Sequence, residues 1–119
     1  MNEMPGDFVG AVFHSLLQRA LENEELAEEV KSWRMTAEIS TDYYPISIDI
    51  DDGVAVTKGS PESATLRVKT SFKTVSDIAL GRVTPFGAIL RGRLKIGGMI
   101  RHPISTVRFY RLMAAALGV

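Results

Sequence analysis

The sequence predicts an α+β domain: two helices, three meandering strands, a fourth strand, two short helices, a fifth strand and a closing helix. Three observations carry this reading. Apolar residues recur at every second position through 46–50 and again at 54–56 on either side of a turn, they recur at helical spacing through 8–21, and they spread over most of the last segment after His102-Pro103.

Between residues 8 and 21, Val9, Phe13, Leu16 and Ala20 recur at spacings of four, three and four, and Val12, Leu17 and Leu21 widen the apolar face of an amphipathic helix. Asn23 can cap a second helix, with Glu24 and Glu25 in the first turn, where the helix dipole favours carboxylates, and Leu26, Val30 and Trp33 on the buried side. Residues 35–40 read as a strand. Ile46, Ile48 and Ile50, then Val54 and Val56, alternate with polar residues across Asp51-Asp52-Gly53. A two-residue loop would put the isoleucines and valines on opposite faces. A three-residue loop pairs Ile50 with Val54 and Ile48 with Val56, so that both sets reach one core, and it asks Gly53 for a left-handed backbone.

After Gly59-Ser60-Pro61, Ala64, Leu66 and Val68 alternate with Thr65, Arg67 and Lys69, giving a strand buried on one side with a basic outer face. Ser71 caps a short helix through Phe72, Val75, Ile78 and Ala79 that Gly81 ends. Thr84-Pro85 starts another, with Phe86, Ile89 and Leu90 on its apolar side and Gly92 at its end. Residues 93–96 read as a strand with Leu94 and Ile96 inward and Arg93 and Lys95 outward. In the last helix Ile104, Val107, Phe109, Tyr110, Leu112, Met113 and Leu117 cover more than a narrow stripe, so it needs apolar contact on more than one side.

Hydrophobic residues make up 45% and charged residues 24% of the 119-residue chain, a globular balance at a length that suits one domain over 1–119. With no cysteine, thiol catalysis, cysteine-ligated zinc and disulfide scaffolds are excluded. The leading MNEMPGDFVG holds acidic residues and no basic one, no apolar run approaches a membrane span, and Leu117-Gly118-Val119 is not an S-K-L type address, so a cytoplasmic location is expected. The zero net charge hides an asymmetry: all 14 acidic residues lie at or before Asp77, and Arg82, Arg91, Arg93, Lys95, Arg101, Arg108 and Arg111 follow it with no acid among them. The two parts either offset one another within one fold or leave a basic face for an anionic head group or membrane.

Several stretches resemble the sterol-carrier-protein family: Thr65-Leu66-Arg67-Val68-Lys69-Thr70, Ala79-Leu80-Gly81-Arg82, Pro85-Phe86-Gly87-Ala88 and Gly92-Arg93-Leu94-Lys95-Ile96-Gly97-Gly98. The segment 26–33 and the Asp51-Asp52-Gly53 hairpin support the likeness, which runs from the first helix to the last. The resemblance implies a five-stranded mixed sheet of order 3-2-1-4-5, helices packed on one face, and a lipid tunnel between sheet and helices. It also implies carriage of sterols, fatty acyl chains or related apolar molecules without a chemical step and without a cofactor. Gly98-Met99-Ile100-Arg101-His102-Pro103 departs from the glycine-asparagine or glycine-aspartate run of many relatives, which changes the tunnel mouth and leaves ligand identity open.

On that resemblance, Phe72, Val75, Ile78, Phe86, Ile89, Leu90, Ile96, Val107, Tyr110 and Met113 are the candidate lipid-lining residues, against the competing reading of an ordinary close-packed core. Burying a sixteen-carbon tail at about 0.8 kcal/mol per methylene gives roughly 12 kcal/mol of gross transfer energy, which ordering and association costs reduce to reversible binding. Arg101, Arg108 and Arg111 are candidates for head-group or membrane contact, against a merely solvated helix face. His14 and His102 lack partners at metal-ligand spacing, and no metal site is expected. Asp51 and Asp52 have the residue type a turn favours, and no GxSxG, P-loop, HExxH or GxGxxG occurs. Nucleic acid is not an expected partner, because the basic part has no recognition motif and few aromatics among its charges. The sequence therefore predicts a non-enzymatic lipid-binding or lipid-transfer protein. The alternative is an interaction module whose final helix, through Phe109 or Leu112, packs against another chain as a homodimer while the tunnel is vestigial.

Overall fold

The computed structural model describes residues 6–118. Met1–Pro5 and Val119, and with them parts of both ends read above for targeting signals, lie outside the described residues. Helix α1 (Phe8–Ala20) starts at Asp7, whose carboxylate accepts from the Gly10 amide and the Tyr44 hydroxyl, each at 2.7 Å. Tyr44 in turn accepts from the Val9 amide at 2.9 Å, fixing the helix start to the chain ahead of the second strand. Burial works against the Asp7 charge, but the hydrogen bonds from Tyr44 and Gly10 outweigh it and hold the carboxyl below its usual range. Helix α2 (Glu24–Val30) is capped by the Asn23 side chain, which accepts from the Leu26 amide at 3.1 Å.

The strands β1 (Arg34–Ser40), β2 (Pro45–Asp51), β3 (Val54–Lys58), β4 (Leu66–Lys69) and β5 (Lys95–Gly97) form one mixed sheet of order β3-β2-β1-β4-β5. Only the β1–β4 pair is parallel. The hairpin has the register that one shared core demands, Ile50 opposite Val54 and Ile48 opposite Val56. Its left-handed backbone begins one residue earlier than expected, at Asp52 (φ 52°), and Gly53 continues at φ 133°. Aspartate tolerates that region better than most side chains, so the turn divides its strain between two residues. Met35, Ala37, Ile39, Ile46, Ile48, Ile50, Val54, Val56, Leu66 and Val68 are buried on one face of the sheet, and every helix packs there. Arg34, Asp49, Asp51, Arg67 and Lys69 stand exposed on the other.

Helices α3 (Phe72–Ala79), α4 (Pro85–Leu90) and α5 (Pro103–Leu117) follow the caps read from the sequence. The Ser71 hydroxyl accepts from the Thr74 amide and the Thr84 hydroxyl from the Gly87 amide, while His102 makes no side-chain cap. Gly81 (φ 76°) and Gly92 (φ 73°) end α3 and α4 in the left-handed region. Three expectations need correction. The fifth strand runs from Lys95 to Gly97 rather than over 93–96. Ala79 is exposed. Arg93 does not point freely outward: its guanidinium lies 2.6 Å from the buried Asp77 carboxylate on α3, with Lys73 at 3.1 Å and Arg82 at 3.6 Å. A buried carboxylate needs such partners; Lys73 stands at the i, i+4 helical spacing, whereas no local pattern announces Arg93.

Hydrogen bonds from Arg93 and then Lys73 lower the Asp77 carboxyl below its usual range, overriding its burial. A carboxyl depressed in the folded state stabilises the protein above the unfolded-state value of about 3.9, and that contribution disappears as pH falls through the lower folded value. Asp77→Asn is therefore expected to lower the melting temperature near neutral pH, with the deficit shrinking below about pH 4. Thermal melts of both proteins across that range check this; an undiminished deficit at low pH would contradict the assignment.

Candidate functional site

The inner face of β4 and β5, with the end of β1, is roofed by α3, α4 and α5 without being filled by them. Between them lies a cavity of about 450 Å³. Its floor is Ile39, Leu66, Val68, Thr70, Leu94 and Ile96. Val75 and Ile78 on α3, and Phe86 and Ile89 on α4, reach it at the i, i+3 spacing that aligns side chains on one helical face.

Helix α5 carries two apolar stripes. Phe109, Leu112 and Ala116 are buried, on the side where α5 meets α1. Thr106, Tyr110, Met113 and Leu117, spaced four, three and four, line the cavity, flanked by Val107 and Ala114. This double stripe is the physical content of the breadth seen in the sequence.

Eight of the ten sequence-predicted lining residues border this cavity: Val75, Ile78, Phe86, Ile89, Ile96, Val107, Tyr110 and Met113. Phe72 and Leu90 do not. Phe72 stacks on Phe8 at 5.5 Å between ring centres and meets Tyr43 edge-on at 5.3 Å, closing the far side of α3 onto α1. Leu90 is 71% exposed because α4 has only Ala88 buried, and its other face looks outward. The sequence reading missed the floor residues Ile39, Leu66 and Val68, although their inward alternation was visible. It also missed Phe13, Thr70, Pro85, Leu94, Met99, Thr106, Ala114 and Leu117, and Phe109, which reaches the cavity from the buried stripe of α5.

The departure at 98–103 lies at the mouth. Gly98 (φ 97°) sits so close to the Thr65 carbonyl that a Cβ would overlap it. The chain turns there, sending Met99 into the cavity wall and leaving Ile100 97% exposed. Phe86, Val107 and Tyr110 are themselves substantially exposed, so the cavity opens at this rim.

Among the described residues the lining is apolar apart from the Thr70, Thr106 and Tyr110 hydroxyls, with no carboxylate, imidazole or amine. Thr70 is already engaged, donating to the Arg93 carbonyl at 3.0 Å. An open hollow of about 560 Å³ at the β4–α3 turn is of another kind, walled by Lys69, Lys73, Arg93 and Lys95, two of which are bound to Asp77. Among the described residues no group of acidic, histidine or cysteine side chains is placed to hold a metal. His14 is buried on α1 with Nδ1 unpartnered, and does not line the cavity.

The three arginines proposed for head groups do not stand together in the structure. Arg108 lies over the Trp33 ring at 5.6 Å and Arg111 is paired with Glu29 on α2, both on the side of α5 facing α2; Arg101 alone stands by the mouth. Leu112 and Phe109, named for a dimer face, are buried within the chain, at 0% and 5% exposure. Leu112→Ala is expected to cost about 2–5 kcal/mol in urea melts with no change in hydrodynamic size, and Val107→Ala on the exposed rim to stay within about 0.5 kcal/mol.

Residues 13–101 match the SCP-2 sterol transfer family. No curated protein sequence matches the chain. Among solved structures, the sterol carrier protein domain 2 of Helicoverpa armigera is 21% identical, with 100% of this chain and 96% of that one covered at a TM-score of 0.62. The apo form of sterol carrier protein 2 from Yarrowia lipolytica is 15% identical, with 92% of each chain covered and a TM-score of 0.62. The UbiJ-SCP2 ubiquinone synthesis protein is 17% identical, with 98% of this chain and 97% of that one covered and a TM-score of 0.64. At such identities the likeness is one of fold.

Proposed function

The chain belongs to the SCP-2 sterol transfer family, and from that premise we propose that it binds a single apolar lipid in the cavity under α3–α5 and passes it on chemically unchanged. The observation that carries this reading is the cavity itself: about 450 Å³ of space with an almost wholly apolar wall, open at one rim. That volume falls in the lower half of the about 300–1,000 Å³ typical of small-molecule sites, which suits one acyl, prenyl or sterol-like body better than a two-chain lipid. A wall without a nucleophile–base pair or a charge favours carriage over chemistry, since an acyl or ester group in it would meet no group to attack or protonate it.

Orientation follows from the same wall. A carboxylate or phosphate inside it would lose its hydration for at most the Tyr110 hydroxyl, since the Thr70 and Thr106 hydroxyls donate to the Arg93 and His102 carbonyls, so the tail goes in and the polar end remains at the rim by Met99, Phe86 and Tyr110. Recognition rests on transfer energy of about 0.8 kcal/mol per methylene, so affinity rises with chain length until the cavity is full.

Delipidated protein is expected to bind a fluorescent fatty acid saturably, to release it to unlabelled palmitate, and to melt about 8 °C or more higher with ligand at one hundred times its Kd. Ile89→Trp and Ile78→Trp fill the space and are expected to weaken binding at least tenfold while leaving the melting temperature unchanged or raised. Absence of binding to fatty acyl, prenyl and sterol probes alike would sink the proposal. So would Trp variants that lose about 1–3 kcal/mol of stability, the signature of an already packed interior.

A further inference from the structure

The rim of the cavity carries large apolar side chains in the open: Phe86 and Leu90 on α4, Ile100 in the loop after β5, and Ile104 and Val107 on α5, each more than half exposed. They form one neighbourhood. Phe86 and Val107 both border the mouth, Leu90 lies one turn beyond Phe86, Ile104 one turn before Val107, and Ile100 adjoins the lining residue Met99. Contiguous exposed apolar surface edged by charge marks a surface that meets something else.

The charge at this edge has one sign. Arg91 follows Leu90 and Arg101 follows Ile100, both exposed and neither in an ion pair among the described residues. No acidic residue occurs in the sequence after Asp77, so α4, the 98–102 loop and α5 have none to offset them. We propose that this rim is a membrane-docking face: it seats on a bilayer containing anionic lipid, with Ile100, Leu90 and Ile104 entering the acyl boundary and Arg91 and Arg101 lying on the phosphates.

The charges select this occupant over a second copy of the chain. Two copies joined through the rim would bring Arg91 and Arg101 against their counterparts with no acid between them, whereas an anionic surface complements both arginines. The apolar residues also project from a short helix and a loop tip, a shape that enters a soft interface more readily than it matches a rigid one. Seated this way, the mouth opens directly into hydrocarbon, and a lipid tail crosses between bilayer and cavity without passing through water.

Docking does not require an occupied cavity, so delipidated full-length protein tests it apart from ligand binding. In co-sedimentation with phosphatidylcholine vesicles, adding phosphatidylserine is expected to raise binding, and added salt to reverse much of that gain. Arg91→Gln with Arg101→Gln is expected to weaken partitioning roughly fivefold per arginine. Ile100→Ser is expected to weaken it about tenfold or more while the melting temperature stays unchanged, because that side chain supports nothing in the free protein. Lys69→Gln with Lys95→Gln, on the outer face of the sheet, is the control and is expected to leave binding nearly intact.

The proposal is overturned if neither vesicle type binds, if the lysine control loses as much as the arginine pair, or if light scattering shows a dimer that Ile100→Ser dissolves. That last result would make the rim a self-association face.

Discussion

The structure depends on a mismatch of areas: the sheet has one apolar face five strands wide, and the helices that pack tightly on it cover only part. Helix α1, the buried stripe of α5 and the aliphatic residues of β1–β3 close into a continuous core around Phe13, Leu17, Ile48 and Leu112. The β4–β5 side is left to the second stripe of α5 and to α3 and α4, two helices of 8 and 6 residues, too short to fill it. A sealed, empty void of about 450 Å³ would cost on the order of 10 kcal/mol at about 24 cal/mol per Å³, which rivals the whole stability of a domain. A hollow of that size is tolerable where it opens at a rim and can be occupied, and the rim here is built from the exposed side chains of α4 and the 98–102 loop.

Polar contacts tie the two short helices of the roof to the chain entering β5. Asp77, the last acid in the sequence, gathers Arg93, Lys73 and Arg82 and so binds α3 to the chain entering β5. Helix α4 has one buried side chain, Ala88, whose carbonyl accepts from both the Arg93 and Leu94 amides at 2.9 and 3.2 Å. Little apolar area is buried by α4 itself, so displacing it costs less than displacing any element of the main core. The arginine-rich C-terminal part is thereby divided. Arg93, Arg82 and Arg111 neutralise acids from the first part of the chain, Arg108 covers Trp33, and Arg91 and Arg101 remain at the mouth. The two readings of the charge asymmetry thus apply to different residues.

Features fixed by a few neighbouring residues were legible in the sequence. The caps at Asn23, Ser71 and Thr84, the glycines that end α3 and α4, and the hairpin register follow from local hydrogen bonding and from the two-residue period of a strand, and each stands where the pattern put it. Features fixed by distant partners were not. Phe72 and Val75 both belong to the apolar set of α3, and only the arrival of Phe8 and Tyr43 from far away in the chain sends one to an aromatic cluster and leaves the other at the cavity. Spacing likewise sorts α5 into two stripes without saying which is buried, so Phe109 and Leu112 were open to assignment at a dimer face until α1 was seen against them. The burial of Asp77 had no local signal at all.

An apolar wall sets how selective such a site can be. Polar groups that would otherwise be left unpaired can reject a wrong ligand by several orders of magnitude, but this lining offers almost none. Discrimination then comes from length and shape, at about 1–3 kcal/mol for each methylene that fits or does not. Two lipids with the same tail and different head groups would be separated only at the rim, where Arg91 and Arg101 favour an anionic end over a cationic one. Selectivity for tail and for head is thus written in different elements, the floor and roof for one and the turns after α4 and β5 for the other; the turns can change without disturbing the core, whereas the floor residues Ile39, Leu66 and Val68 belong to it.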